Sequence, residues 1–313
     1  RDTRDSLAST RQPLRPIPFT ERMESNVVSD LDTYLFDLHG YLHLKQAVAV
    51  DDIDEMNSWA DAQREYIDRP WEDGVEANRR GRWIGNVHTH TYNVENGVNF
   101  QNIIAAGPVF ERLIDHPSWV DLAKRYINSA VNGLSIHENF MTVRGQGGFI
   151  HIHCGGHVPL SYLTFRQNNT GDWMVGQINL LIALTDIGHG DGPTVLVPGS
   201  HKCTEPHPRL EQDGKGLVYD GATGEAAGTA FGVREMYLEK GDALFFTDAI
   251  THGSAKRTNP GERRTVIFRY SPRYVRERFN YRQTPDFLAG LTPERRQIVQ
   301  PIPPQERAGS EEA

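Results

Sequence analysis

From Leu134 onward the chain is written in period two. Short runs of alternating or continuous Val, Ile, Leu and Phe are cut apart by glycine- and proline-rich turns. Alternate side chains of an extended backbone share one face, so such runs bury their apolar side by pairing into sheets. The predicted strands are 136–144, 149–153, 175–185, 194–198, 233–238, 243–247 and 263–270. Turns rather than crossover helices join most of them, which predicts a β-sandwich or jelly roll, not a parallel α/β sheet.

The first third reads differently and predicts a helical buttress. Leu31 to Leu44 reads as a short helix, a glycine turn and a strand. Asp51 and Asp52 open a helix running to about Ile67, with Ile53, Met56, Trp59 and Ala60 on one face. Pro108 to Tyr126 suits two short helices broken at Pro117. The expected organisation is a flexible arm over 1–29, one domain over 30–300 and a disordered tail over 301–313. The glycine-rich stretch 210–232 is expected to be an insertion or lid.

Composition narrows the functional class. A net charge of −8 argues against a nucleic-acid polymer or an anionic membrane as partner. Cys154 and Cys203 form no C-x-x-C pair, and no signal-peptide pattern opens the sequence. The expectation is a cytoplasmic protein without a disulfide framework, acting on a small molecule.

Between strands lies Gly147-Gly148-Phe149-Ile150-His151-Ile152-His153-Cys154-Gly155-Gly156-His157. Its histidines fall at alternate positions and share a face if the stretch is extended, and imidazole is the commonest protein ligand for divalent transition metals. Two readings stand here: a metal-binding strand, or a strand of partly exposed histidines with no metal. A second stretch, Asp248-Ala249-Ile250-Thr251-His252-Gly253-Ser254, favours the first. A jelly roll can make the strands carrying His153 and His252 neighbours. Arg263 and Arg264, opening the strand beyond, suit a carboxylate because a guanidinium fork meets two oxygens at once. His88 and His90 are read as a surface strand, and His137 and His189 as ordinary surface histidines.

Several pieces in this order resemble the phytanoyl-CoA dioxygenase family of iron(II)- and 2-oxoglutarate-dependent oxygenases. They are Phe36-Asp37-Leu38-His39-Gly40-Tyr41, Leu184-Thr185-Asp186, Gly190-Asp191-Gly192, Pro198-Gly199-Ser200-His201-Lys202, Gly241-Asp242, His252-Gly253-Ser254 and Arg263-Arg264. The resemblance covers about 30–272 and implies a mainly β fold with flanking helices around a double-stranded β-helix (jelly roll, cupin-like) core. It implies that His153 and His252 hold Fe(II). Ser254 and Arg263 would bind the far carboxylate of 2-oxoglutarate, with Arg264 as the alternative because a one-residue slip exchanges the two. Phe140 would line the cosubstrate, and the His201-Lys202 loop would be structural.

One position departs from the family. The carboxylate ligand expected two residues after the first histidine is here Gly155, which has no side chain. Halogenases of the wider superfamily carry His-x-Gly or His-x-Ala and bind halide at that place. The first expectation is therefore chlorination of an unactivated C–H using Fe(II), 2-oxoglutarate, O2 and chloride. Hydroxylation is the alternative, with Asp186, Asp191 or Asp248 as the replacement acid. A three-histidine site with His151 and a non-catalytic ligand-binding jelly roll are further readings. Gln177 and Asn179 share one face of their strand and line a pocket if that face turns inward. Trp173 and Asn139 are the other candidate substrate contacts.

Overall fold

The computed structural model describes residues 28–70, 81–91, 96–154, 171–203, 232–275 and 283–300. The arm (bar its last residues), the tail and nearly all of 210–232 lie outside them. The opening helix α1 (Asp30–His39) starts at a Ser29 capping box with Asp32 and ends at Gly40. Gly40 has φ +81°, and an added Cβ would lie 2.5 Å from the His201 ring, so only glycine suits this turn. Strand β1 (Tyr41–Leu44) follows. The helix predicted from 51 to 67 is divided at Gln63 into α2 (Val50–Ala62) and α3 (Arg64–Asp68). A hairpin-like set, β2 (Trp83–Ile84), β3 (Val87–His90) and β4 (Val98–Gln101), precedes α4 (Pro108–Glu111), α5 (Val120–Ile127) and α6 (Ser129–Asn132).

The β region then runs β5 (Ser135–Arg144), β6 (Ile150–Cys154), β7 (Ile178–Ala183), β8 (Thr194–Leu196), β9 (Arg234–Met236), β10 (Ala243–Thr247), β11 (Thr251–Ser254) and β12 (Arg263–Ser271). Two short helices, α7 (Pro285–Gly290) and α8 (Pro293–Val299), close the described chain. All strand pairs among the described residues are antiparallel. The larger sheet is ordered β1-β10-β7-β12-β5-β4-β3-β2, and the smaller β6-β11-β8-β9. This is the expected jelly roll. Strands β4 and β11 lay outside the predicted set: Thr251-His252-Gly253-Ser254 has too little apolar content to read as a strand alone.

The larger sheet buries both faces by the alternation of its strands. Ile178, Leu180, Ile182, Phe245, Val266 and Phe268 face the helices, where Phe36, Tyr126 and Trp119 pack. Trp119 Nε1 donates to the Tyr270 hydroxyl at 2.9 Å, which in turn donates to the Ile114 carbonyl at 2.8 Å, so this polar pair is satisfied inside the apolar layer. Leu181, Ala183, Leu244 and Phe246 face the smaller sheet across a second apolar cluster with Leu196, Met236 and Ile250. No helix among the described residues is long and apolar enough to cross a membrane.

Candidate active site

Strands β6 and β11 are neighbours in the smaller sheet, and their register sets His153 directly opposite His252. The ring centroids are 4.2 Å apart with the planes at 52°. Two imidazoles bound at ~2.1 Å to one ion at a right angle would have centroids roughly 4.5 Å apart, so the pair is spaced to share one. Each Nδ1 lies 2.7 Å from a carbonyl two residues earlier, His151 for His153 and Ile250 for His252. A carbonyl only accepts, so both rings carry their proton on Nδ1 and turn the Nε2 lone pair away from the backbone. Burial, and then the neighbouring His252, lower the His153 imidazole to about 4. Burial also lowers His252, against the opposing influence of Asp248. Neutral rings with fixed tautomers are what a divalent metal requires.

Asp248, in the turn before β11, adds a carboxylate. Its Oδ1 lies 3.7 Å from Nε2 of His252. Burial alone would raise this group, but His252, Arg269, the Asn179 hydrogen bond and His153 outweigh it and hold the carboxyl below its usual range. The acid is thus an anion beside two neutral imidazoles. Asn179 Nδ2 donates to Asp248 Oδ1 at 2.7 Å, and Gln177 Nε2 donates to Asn179 Oδ1 at 2.9 Å. Gln177 and Asn179 therefore face inward and are buried, yet their amides run in a chain that ends on the carboxylate. Among the described residues no three His, Cys, Asp or Glu side chains are closed around one metal-sized point. His151 is exposed, its ring edge-on to Phe149 at 5.1 Å, and does not join the pair. Asp186 accepts from the Lys240 amide, and Asp191 pairs with Arg257, so both serve turns.

Gly253 lets the two strands come this close. A Cβ there would lie 2.8 Å from the Ile150 carbonyl and 2.9 Å from that of His151. Gly253→Ala is expected to push β11 off β6 and weaken divalent-metal binding by at least about tenfold, although it touches no ligand atom. Calorimetric titration of Mn(II) into the folded variant checks this, since unchanged affinity would mean the strands yield freely.

Two residues along β11 from His252, Ser254 stands among buried cations. Arg263 and Arg144 are register partners on β12 and β5, 2% and 1% exposed. Arg263 Nη2 donates to Thr194 Oγ1 at 3.1 Å, while its buried Nε has no hydrogen-bond partner. Arg144 Nη1 donates to Ser254 Oγ at 2.7 Å, and the Ile150 amide donates to the same oxygen at 2.9 Å. Burial, then Arg257, lower Arg263 to about 10, so it stays a cation at neutral pH. Arg264 turns away from this interior to pair with Asp61 and Glu262, so of the two arginines Arg263 is the one that faces inward. Phe140 is on the inner face of β5, with the Arg269 guanidinium 5.7 Å from its ring centroid, and Arg269 pairs with buried Glu138 at 2.6 Å.

Other candidates sit elsewhere. Asn139, one residue from Phe140, points to the opposite face, where its Oδ1 accepts from the Ile104 amide at 3.0 Å. Trp173 packs into the helical layer against Phe36 and Tyr126. Both therefore face the helical layer, away from the histidine pair. Gly155 and His157 lie outside the described residues. His137 is buried rather than on the surface, because its strand is covered on both sides, whereas His189 is exposed as expected.

The Pro198 to Lys202 loop serves as structure. Ser200 Oγ accepts from the Thr251 amide at 2.8 Å, holding the start of β11, and His201 Nε2 meets the Asp37 carbonyl at 3.2 Å. Burial lowers His201 to about 4, only partly opposed by that carbonyl. Its folded value lies below the unfolded one, so its contribution is complete above about 6.5 and is lost as pH falls toward 4. The metal-free protein is expected to lose ~2–3 kcal/mol between pH 7.5 and 4.5 from this residue, read as a shift in urea midpoint.

Residues 36–265 match the profile of phytanoyl-CoA dioxygenase (PhyH). The chain belongs to the phytanoyl-CoA dioxygenase family. Among curated proteins of this kind, dioxygenase cdmD of Talaromyces verruculosus is 27% identical over 138 residues, 43% of this chain and 38% of that protein. The match therefore spans well under half the length of that relative. Among solved structures, HygX from Streptomyces hygroscopicus with nickel and 2-oxoglutarate bound superposes with TM-score 0.60 at 20% identity, covering 80% of this chain and 90% of HygX. HygX with nickel, 2-oxoglutarate and hygromycin B bound gives TM-score 0.59 at 20% identity, covering 83% and 94%. At that identity the likeness establishes the fold alone.

Proposed function

We propose that the protein is an Fe(II)- and 2-oxoglutarate-dependent oxygenase that hydroxylates an unactivated C–H bond of a small molecule. One observation carries the reading: opposed neutral His153 and His252, with ionised Asp248 beside them, share an interior with a buried guanidinium whose Nε seeks an acceptor. His153 and His252 would hold the iron, and Asp248, 3.7 Å from the His252 nitrogen and not yet closed on the same point, would swing in to complete the two-imidazole, one-carboxylate set suited to non-haem iron. When bound, Fe(II) with 2-oxoglutarate and O2 supplies the oxidising power for the C–H bond, the cosubstrate leaving as succinate and CO2.

The protein's own work is placement. The carbonyls of His151 and Ile250 fix both ring tautomers. Asn179, braced by Gln177, keeps Asp248 on the metal side. Arg263 and Ser254 hold the far carboxylate of the oxoacid, and Phe140 closes the wall along its chain. The apolar floor of Leu181, Leu244 and Phe246 keeps bulk water from the reacting end. HygX, whose structures include one with hygromycin B, supports a free small molecule as substrate.

Chlorination is the second reading, favoured by Gly155 standing where the family places its acid. Chloride distinguishes the two. In the anaerobic Fe(II) protein, 2-oxoglutarate affinity is expected to change less than about twofold when chloride replaces a non-coordinating anion, and succinate is expected to form on adding O2. Marked strengthening by chloride would instead support halide at the metal, and absence of succinate would overturn both readings.

A further inference from the structure

Arg144 was not among the residues the sequence singled out, and nothing in the family resemblance assigned it a part. Its surroundings are unusual. It lies at the inner end of β5, 1% exposed, directly across from Arg263. Among the described residues no carboxylate pairs with either guanidinium; the nearby Arg257 already has Asp191. Burying one charge costs several kcal/mol unless it is compensated, and two like charges on adjacent strands compound the cost. Arg144 reaches the Asn96 carbonyl through Nε at 3.3 Å and Ser254 Oγ through Nη1 at 2.7 Å. Among the described residues only neutral oxygens meet it. Such a pair is stable where an anion enters between them.

Ser254 ties the two together. Its Oγ already accepts from Arg144 and from the Ile150 amide, so both lone pairs are engaged and its hydroxyl proton is left to donate. On neighbouring strands the fold thus sets a hydroxyl donor, the unpartnered Nε of Arg263 and a second guanidinium. Every one is a donor.

We propose that Arg144 is a specificity-determining residue, a second cation that makes this end of the pocket selective for an oxoacid bearing a distal carboxylate. The proposal rests on the assignment of Arg263 and Ser254 as the cosubstrate anchor. It adds that Arg144 acts through charge at the distal end rather than as a brace for the fold.

The test compares 2-oxoglutarate with 2-oxobutyrate, which keeps the keto acid but lacks the far carboxylate. Both are titrated into Ni(II)-loaded full-length protein, wild type, Arg144→Met, Arg144→Lys and Arg263→Met. Arg144→Met is expected to weaken 2-oxoglutarate roughly tenfold or more, leave 2-oxobutyrate within about twofold, and be largely restored in Arg144→Lys. Using the ratio of the two ligands cancels any general loss of folded protein. Equal weakening of both ligands, or no change in either, would overturn the role of Arg144 while Arg263→Met still discriminates between them. If Arg263→Met also binds both ligands like wild type, the anchor itself is misassigned and the proposal falls with it.

Discussion

Asp248→Ala is expected to lower Fe(II) affinity by about a hundredfold or more while leaving the fold intact. The residue sits in the turn entering β11, and its carboxylate is the only acidic group among the described residues within 4 Å of His252 Nε2. Losing an outer-shell partner typically costs a metal site 10- to 100-fold, and a direct ligand belongs at or beyond the upper end of that range. Asp248→Asn separates charge from shape, because the amide keeps its volume but cannot supply the anion that offsets a divalent ion. Anaerobic titration of Mn(II) followed by electron paramagnetic resonance reads the affinity without turnover. Removal of Asn179, which holds Asp248 Oδ1 at 2.7 Å, is expected to cost less, since it loosens the acid without deleting it. Wild-type affinity in both Asp248 variants would return the third position to Gly155 and revive the halide reading.

Arg263→Ala should abolish measurable 2-oxoglutarate binding, whereas Arg264→Ala should barely alter it. The contrast follows from which face of β12 each occupies. Arg263 is inside, buried, and donates one hydrogen bond to a neutral threonine while its Nε waits for a partner. A desolvated guanidinium–carboxylate pair with two charge-assisted hydrogen bonds is worth about 3–4 kcal/mol, or roughly 100- to 1000-fold in affinity. Arg264 instead pairs with Asp61, whose side chain is 66% exposed, and with Glu262. A pair whose acid is this exposed contributes ~1 kcal/mol or less, and both pairs lie on the strand face away from Arg263. Metal affinity should survive in both variants, which separates a lost anchor from a lost fold. Loss of 2-oxoglutarate binding in Arg264→Ala alone would reverse the assignment.

Much of the architecture was legible because β-strands announce themselves through alternation. The strand 243–247 emerged with its predicted bounds, and 263–270 within one residue. Strand β11 was missed for a physical reason. Thr251, His252, Gly253 and Ser254 are polar or small, and they are buried by what surrounds them rather than by their own hydrophobicity. The helix after Asp51 was foreseen on its apolar face, but the break at Gln63 has no proline or glycine to mark it.

The site divided in the same way. His252, Ser254 and Arg263 could be named because their residue types and order carry the family pattern, and register then favoured Arg263 over Arg264. Asn139 and Phe140 are adjacent, and only the strand's orientation sends one to the helices and the other to the interior. Arg144 left no signal in the sequence, since a lone arginine ending a strand is ordinarily a solvated one.

The linear chain by itself determined the jelly roll and its helical cover, because periodicity is a local property, and its family pattern nominated two histidines and a pair of adjacent arginines without choosing between the arginines. Which groups stand opposite one another was decided only by folding. His153 faces His252, Asp248 turns toward them, and Arg144 lies across from Arg263 because antiparallel register and the side-chain alternation of each strand bring distant residues to one point.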